Sequence, residues 1–214
     1  VLFDGKHQKN LTKVIAIVAI IAFLGFGLVA GFLAVGGGCG AVDPLTQAVN
    51  DAQTSVQQGK SAVAQARKAV QQSPKSARAK QDLAQARSDL GKAQITLAQA
   101  RLGVNQQDPE ALTTALAAAQ SAPGDLDVVL GLVTVATAQN NPAAALQALQ
   151  RYTAINPGDA QAFAYWGQAA ERAGQRNQAV LAYQRFLQLA PNDPLAGDIR
   201  ARLAELSKPA TTTG

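Results

Sequence analysis

The sequence holds a single cysteine, Cys39, and a single histidine, His7, and aromatic side chains make up only 5% of its 214 residues. Because neither residue type occurs between positions 41 and 214, that stretch cannot build a Cys/His nucleophile pair, a Ser-His-Asp triad or a zinc site that depends on either residue. One cysteine forms no intramolecular disulfide, so the redox compartment is left open. Carboxylates are scattered: the only glutamates are Glu110, Glu171 and Glu205, and many aspartates stand where helix starts need caps. The glycine run Gly36 to Gly38 follows an apolar segment rather than a strand and precedes no Lys-Ser/Thr, so it reads as a flexible joint and not as a phosphate loop. No catalytic activity, cofactor or metal is expected.

Hydrophobic residues nevertheless reach 48%, and alanine supplies the excess. Ala, Gln, Leu and Arg favour helix, while β-branched runs beyond the N-terminal segment are short, as at Val128 to Val135. The expected class is therefore all-α. Small side chains bury little area each, so the core has to come from stacking many helices.

The formal charge of +5 is unevenly spread. Residues 41–106 carry nine Lys/Arg against four Asp, whereas residues 107–214 carry seven against nine acids. The basic stretch is interleaved with Ala and Gln rather than aromatics, which argues against nucleic-acid binding and for a solvated helical face, with attraction to anionic polymers or lipid as the alternative.

Val14 to Val35 is 22 residues without a charged or strongly polar side chain, enough at about 1.5 Å per residue to cross a hydrocarbon core of about 30 Å. Lys6, Lys9 and Lys13 precede it, and no Lys or Arg follows until Lys60. This asymmetry predicts a single-pass membrane protein with residues 1–13 cytoplasmic, a span over 14–35, a flexible linker over 36–42 and the remainder extracytoplasmic. A cleaved signal peptide, or a lipid-modified Cys39, would put the remainder on the same side; the apolar core is long for the first, and the second lacks the usual leucine three residues before the cysteine. Gly27 and Gly31 form a GxxxG within the span, a pattern that permits a homodimer seam in the membrane.

Three marks then recur 34 residues apart: Pro123-Gly124-Asp125, Pro157-Gly158-Asp159 and Pro191-Asn192-Asp193. Ala111, Ala145 and Ala179 share the period. The copy from Ala160 to Asp193 carries Phe163, Trp166, Gly167, Gly174, Ala179, Tyr183, Phe186 and Pro191; the copy before it keeps Val129, Leu132, Ala145, Leu149, Tyr152 and Pro157, with Val133 in place of a glycine. A third, from Lys92, keeps Ile95, Ala111, Ala115, Ala118 and Pro123, with Gln99 at the glycine position. This pattern resembles the tetratricopeptide repeat (TPR), whose unit is a pair of antiparallel helices. The resemblance implies an α-solenoid with three units over 92–193, in which Ala145 and Ala179 mark close helix contacts and Gln178 faces outward.

Around these units, Asp43-Pro44 and Ser73-Pro74 read as helix starts, and Gly59 falls where a degenerate repeat would turn, so 43–91 is expected to hold TPR-like long helices. Pro74 precedes Pro123 by 49 residues, and the surplus implies an extended helix or an inserted turn near Leu90-Gly91. Pro194 is expected to open a capping helix over 194–207, with Leu195, Ile199, Leu203 and Leu206 on one stripe, before a disordered tail over 208–214.

The whole chain resembles bacterial proteins that carry an extracytoplasmic TPR domain behind one membrane span and serve as docking scaffolds in envelope protein assembly or maturation. The resemblance implies a protein or peptide ligand in a groove lined by the first helix of each repeat, here Leu130, Thr134, Thr137, Tyr165, Gln168 and Arg172, with Glu171 beside Arg172. The Ala/Gln-rich stretch around Lys80 to Arg87 also looks like the helical hairpin of export-complex adaptors, although no flanking strand pattern supports that alternative.

Overall fold

The structure, a computed structural model, describes residues 43–208. The segments 1–13, 14–35 and 36–42 and the tail from residue 209 on lie outside the described residues. The described residues fall within one compact unit. Eight helices make up its described part, with no strand among the described residues. No described helix is long and apolar enough to cross a membrane.

Two long helices come first, α1 (Pro44–Gln72) and α2 (Ala77–Val104). The Asp43 carboxylate caps α1 by accepting from the Thr46 amide at 3.4 Å, with Pro44 in the first turn. Between the helices the expected start at Ser73-Pro74 moves on by one short turn: Pro74 lies in that turn, and the Ser76 hydroxyl caps α2 by accepting from the Ala79 amide at 3.1 Å. A serine followed by proline can end one helix as readily as it opens another.

Gly59 is not a turn. It lies inside α1, where a Cβ would stand 3.1 Å from Leu90 Cδ1 and 3.2 Å from Leu90 Cα. The hairpin seam follows a seven-residue repeat: Val49, Ala52, Val56, Gly59 and Val63 on α1 meet Leu83, Ala86, Leu90, Ala93 and Leu97 on α2, and the half-buried Ala66 and Val70 and the buried Ala79 continue the spacing. Valine alternates with a small residue on one helix and leucine with alanine on the other. Each large side chain can thus seat over a small one, and the backbones approach as in a coiled coil. Gly91 is likewise internal to α2, so the surplus residues before Pro123 extend a helix and insert no turn.

The C-terminal half of α2 then pairs with α3 (Pro109–Ser121), α4 (Leu126–Ala138) with α5 (Pro142–Ile155), and α6 (Ala160–Arg172) with α7 (Arg176–Leu189). Helix α8 (Ala196–Leu206) covers α7. It starts two residues after Pro194, and Asp193 accepts from the Leu195 amide at 2.8 Å. Leu195, Leu203 and Leu206 pack partly buried against the core, and Ile199 is buried.

The 34-residue marks are stop-and-cap devices. In the first, Asp125 Oδ1 accepts from the Asp127 and Val128 amides at 3.0 and 3.3 Å; in the second, Asp159 Oδ1 accepts from the Ala162 amide at 3.2 Å. Each such cap contributes about 1 kcal/mol. Within the pairs the chain turns at Asn140 and Gly174, again 34 residues apart, with φ of 52° and 70°. This left-handed step lets the Asn141 amide reach Ala136 O at 2.7 Å and the Gln175 amide reach Ala170 O at 2.8 Å, which closes the preceding helix.

Alanine brings the pairs together. Ala111, Ala115, Ala118, Ala162, Ala170, Ala179 and Ala182 have no exposed surface, and Ala145 retains 2%. Where a larger residue enters, glycine opposes it: the Tyr183 ring lies where a Gly167 side chain would be, and Ile95 lies against Gly131. Gly167 meets Tyr183 within its own pair, whereas Gly131 meets Ile95 of the preceding pair, so the two glycines serve different interfaces.

Gln178, expected to face outward, is half-buried and bonded to Gln150, so the exposed Gln184 is the proper surface control. Ala179→Leu should lower stability by about 1–3 kcal/mol through overpacking, with Gln184→Leu near neutral. Urea unfolding of residues 42–214 measures the difference, and equal losses would show that the packing at Ala179 is wrong. Gly174→Ala places a Cβ on a left-handed residue and should cost about 1 kcal/mol, whereas Asn140→Gly should be neutral or stabilising. The same unfolding assay reads both.

Candidate functional site: the face of the first helices

Helices α4 and α6, the first members of their pairs, carry all six residues expected to line the groove. Leu130 packs half-buried against the core, and the exposed Thr134 and Thr137 donate back to Leu130 O at 3.0 Å and Val133 O at 2.7 Å. Such internal bonds satisfy the threonine hydrogens and leave an oxygen free to accept.

On α6, Tyr165 packs its half-buried ring on the core, and its hydroxyl accepts from Gln161 Nε2 at 3.3 Å. Gln168 is half-buried and Arg172 exposed. Arg172 Nη1 stands 3.5 Å from Thr137 Oγ1, so the helix stack joins these two residues across a 35-residue separation. Leu130 and Thr134 are joined only within their own turn.

Glu171 does not neutralise its neighbour. Its Oε1 accepts the Tyr183 hydroxyl at 2.6 Å and its Oε2 accepts Arg202 Nε at 2.6 Å, which ties α6 to α7 and to the capping helix. Arg202 also donates to Glu205 at 2.6 Å. Arg172 therefore presents its charge at the surface, and among the described residues it enters no ion pair. The sequence places Glu171 and Arg172 side by side, but consecutive helical residues project about 100° apart and meet different neighbours.

Helix α2 contributes what the sequence reading left out. Lys92 bridges Asp125 at 3.5 Å and Asp127 at 3.2 Å, and Ser88 donates to Asp125. Burial pushes the Asp125 carboxyl up, yet the bonds from Ser88, Val128 and Asp127 together with Lys92 bring it below its ordinary value. Phe163 and Trp166 meet at 5.7 Å on α6, with Arg185 6.0 Å above the Phe163 ring. Among the described residues no group of three His, Cys, Asp or Glu is placed to hold a metal ion.

These helix pairs, their caps and their small-residue contacts bear on the comparison with known proteins. Residues 109–165 match the family model of the tetratricopeptide repeat. That match opens at α3 and ends at Tyr165, so it contains Leu130, Thr134, Thr137 and Tyr165 but neither Gln168 nor Arg172. Among solved structures the chain is similar to one described as the crystal structure of MamA protein, at 15% identity over 75% of this chain and 87% of that one, with a TM-score of 0.39. No curated protein matches the chain.

Within and beside the matched segment two phenols are buried on carboxylates. Burial first, and then the bond to Asp159 or Glu171, raises Tyr152 and Tyr183 far above the ordinary phenol value of about 10. The unfolded chain loses these protons near that value while the folded chain keeps them. Their contribution to stability is thus complete below pH about 10 and declines as pH rises beyond it. Melting temperatures should fall more steeply between pH about 9 and 11 for the parent than for Tyr183→Phe. Parallel curves would show that Tyr183 does not hold its proton.

Proposed function

We propose that this protein is a non-enzymatic bacterial scaffold, tethered by Val14–Val35 to a membrane, that docks a protein or peptide segment against the α4–α6 face on the extracytoplasmic side, in envelope protein assembly or maturation. TPR pairs in general bind protein partners, and the match over residues 109–165 supports a protein-interaction role. The observation that carries the reading is the character of the face itself. An aromatic ring on a rigid helix, threonine oxygens ready to accept, and one cation at the Arg172–Thr137 junction suit a mostly neutral segment held by contact area.

A photo-crosslinking residue at Thr134 or Gln168 should capture a polypeptide that the same residue at Gln184 does not. Binding of the captured segment should change little between low and high salt, and Tyr165→Ala should weaken it by about 1 kcal/mol or more. Binding that collapses with salt and ignores Tyr165 would remove the site from this face. Tethering has its own test: cysteines introduced after Ser207 should label from outside intact cells, and labelling only after lysis would overturn the orientation.

The second reading, an adaptor subunit of an export or secretion complex, draws support from the length of the α1–α2 hairpin, 29 and 28 residues. Loss of secretion on shortening the hairpin by one heptad from each helix, with binding to the α4–α6 face retained, would favour it.

A further inference from the structure

Among the described residues, the hairpin is covered along only part of its length. At the base, α3 and α4 lie on α2: a Cβ on Gly91 would stand 3.3 Å from Ala122 Cβ and 3.0 Å from Val128 Cγ2, Ala98 has no exposed surface and Gln94 retains 9%. Among the described residues, the buried seam of α2 from Ala77 to Leu90 is with α1, and Ser88 reaches the α4 cap at Asp125. That open stretch measures about 20 Å at about 1.5 Å per residue, close to four helical turns.

Cations cluster around the hairpin turn and along one border of the seam. Residues 52–81 contain Lys60, Arg67, Lys68, Lys75, Arg78 and Lys80 and no acid. All six are exposed, and among the described residues none enters an ion pair. Lys60 follows Gly59, Arg67 follows Ala66, Lys80 follows Ala79 and Arg87 follows Ala86, so each of these four stands directly after a small seam residue. In an antiparallel coiled coil such positions from both helices border the same side of the seam. Asp82 and Asp89, which precede Leu83 and Leu90, border the other side.

The covered half shows what this side accepts. Lys80, Arg87, Gln94 and Arg101 form one series with a seven-residue step. Where α3 lies on it, Gln94 is buried and the Arg101 guanidinium pairs with Asp108 at 3.4 Å and with Glu110, at the cap and first turn of an alanine-rich helix. The open half repeats the arrangement with four cations and, among the described residues, no helix.

We propose that the distal half of the hairpin, on the side bordered by Lys60, Arg67, Lys80 and Arg87, docks an acidic amphipathic helix of a partner protein, with small apolar residues toward the seam and carboxylates at seven-residue spacing beside it. A membrane surface fits less well, because the exposed large hydrophobic residues of the described chain include none between residues 46 and 103 to enter lipid. Single-stranded nucleic acid lacks the aromatic rings on which bases stack.

The test uses residues 42–214 and a fluorescent helical peptide of about 20 residues, Leu and Ala alternating on one stripe and Glu flanking it, beside its Glu-to-Lys counterpart. The Glu peptide should bind, its Kd should rise about tenfold between about 50 and 300 mM salt, and the Lys counterpart should not bind. Joint replacement Lys60→Glu, Arg67→Glu, Lys80→Glu and Arg87→Glu should abolish binding, whereas Lys68→Glu, Lys75→Glu and Arg78→Glu together should weaken it less than about threefold. The four Gln replacements neutralise without reversing charge, and they decide the matter if circular dichroism shows that the Glu variant unfolds. Equal sensitivity of the two sets of variants, no binding of the Glu peptide at low salt, or tighter binding of phosphatidylglycerol vesicles or duplex DNA than of the peptide would overturn the proposal.

Discussion

Close approach of helices at alanine and glycine is the constraint on which the other features rest. A chain with 5% aromatic residues cannot fill wide gaps between helices, so the helices must come near enough for small side chains to touch across the interface. Ala111, Ala145 and Ala179 do this once per pair, Gly59 does it in the hairpin, and Gly167 and Gly131 yield space to Tyr183 and Ile95. Each contact leaves little room for a methylene, and so the register between helices is set sharply even though every residue buries little area.

That register in turn decides which polar side chains meet. Arg172 reaches Thr137, and Glu171 reaches Tyr183 and Arg202, because α6 is held at one rotation against α4, α7 and α8. The same rotation leaves Tyr165 half-buried on the face proposed for docking. Hairpin and repeat stack share α2, whose N-terminal half belongs to a two-helix seam and whose C-terminal half is the first helix of the first pair. Lys92, pairing with Asp125 and Asp127 beside Ser88, stands where the two regimes join.

The repeat stack was legible in the sequence because its punctuation has one physical meaning. Pro-x-Asp ends one helix and caps the next, and a 34-residue recurrence of that device leaves little freedom in pairing. Gly59 was misread because an isolated glycine in a helical pattern has two uses, a turn and a close contact. The seven-residue alternation of Val with small residues, continuous through Gly59, was the signal that separates them. The six face residues lie on α4 and α6, the first helices of their pairs, as the 34-residue register implies. The direction of Glu171 was not legible, because it depends on Tyr183 and Arg202 in other helices. The contact of Gly131 likewise depends on the bulk of Ile95 in the preceding pair.

A stack of this kind has graded stability: helices packed on both sides open only with the whole, whereas the distal hairpin, with one seam among the described residues, opens by itself. Native-state hydrogen exchange of residues 42–214, read amide by amide, tests that most directly. Slowest exchange is predicted in α4 to α6, intermediate exchange in residues 92–104 of α2, and fastest helical exchange in residues 60–88 on both sides of the hairpin turn. Exchange in residues 60–88 as slow as in α5, or uniform exchange along the whole of α2, would contradict the account.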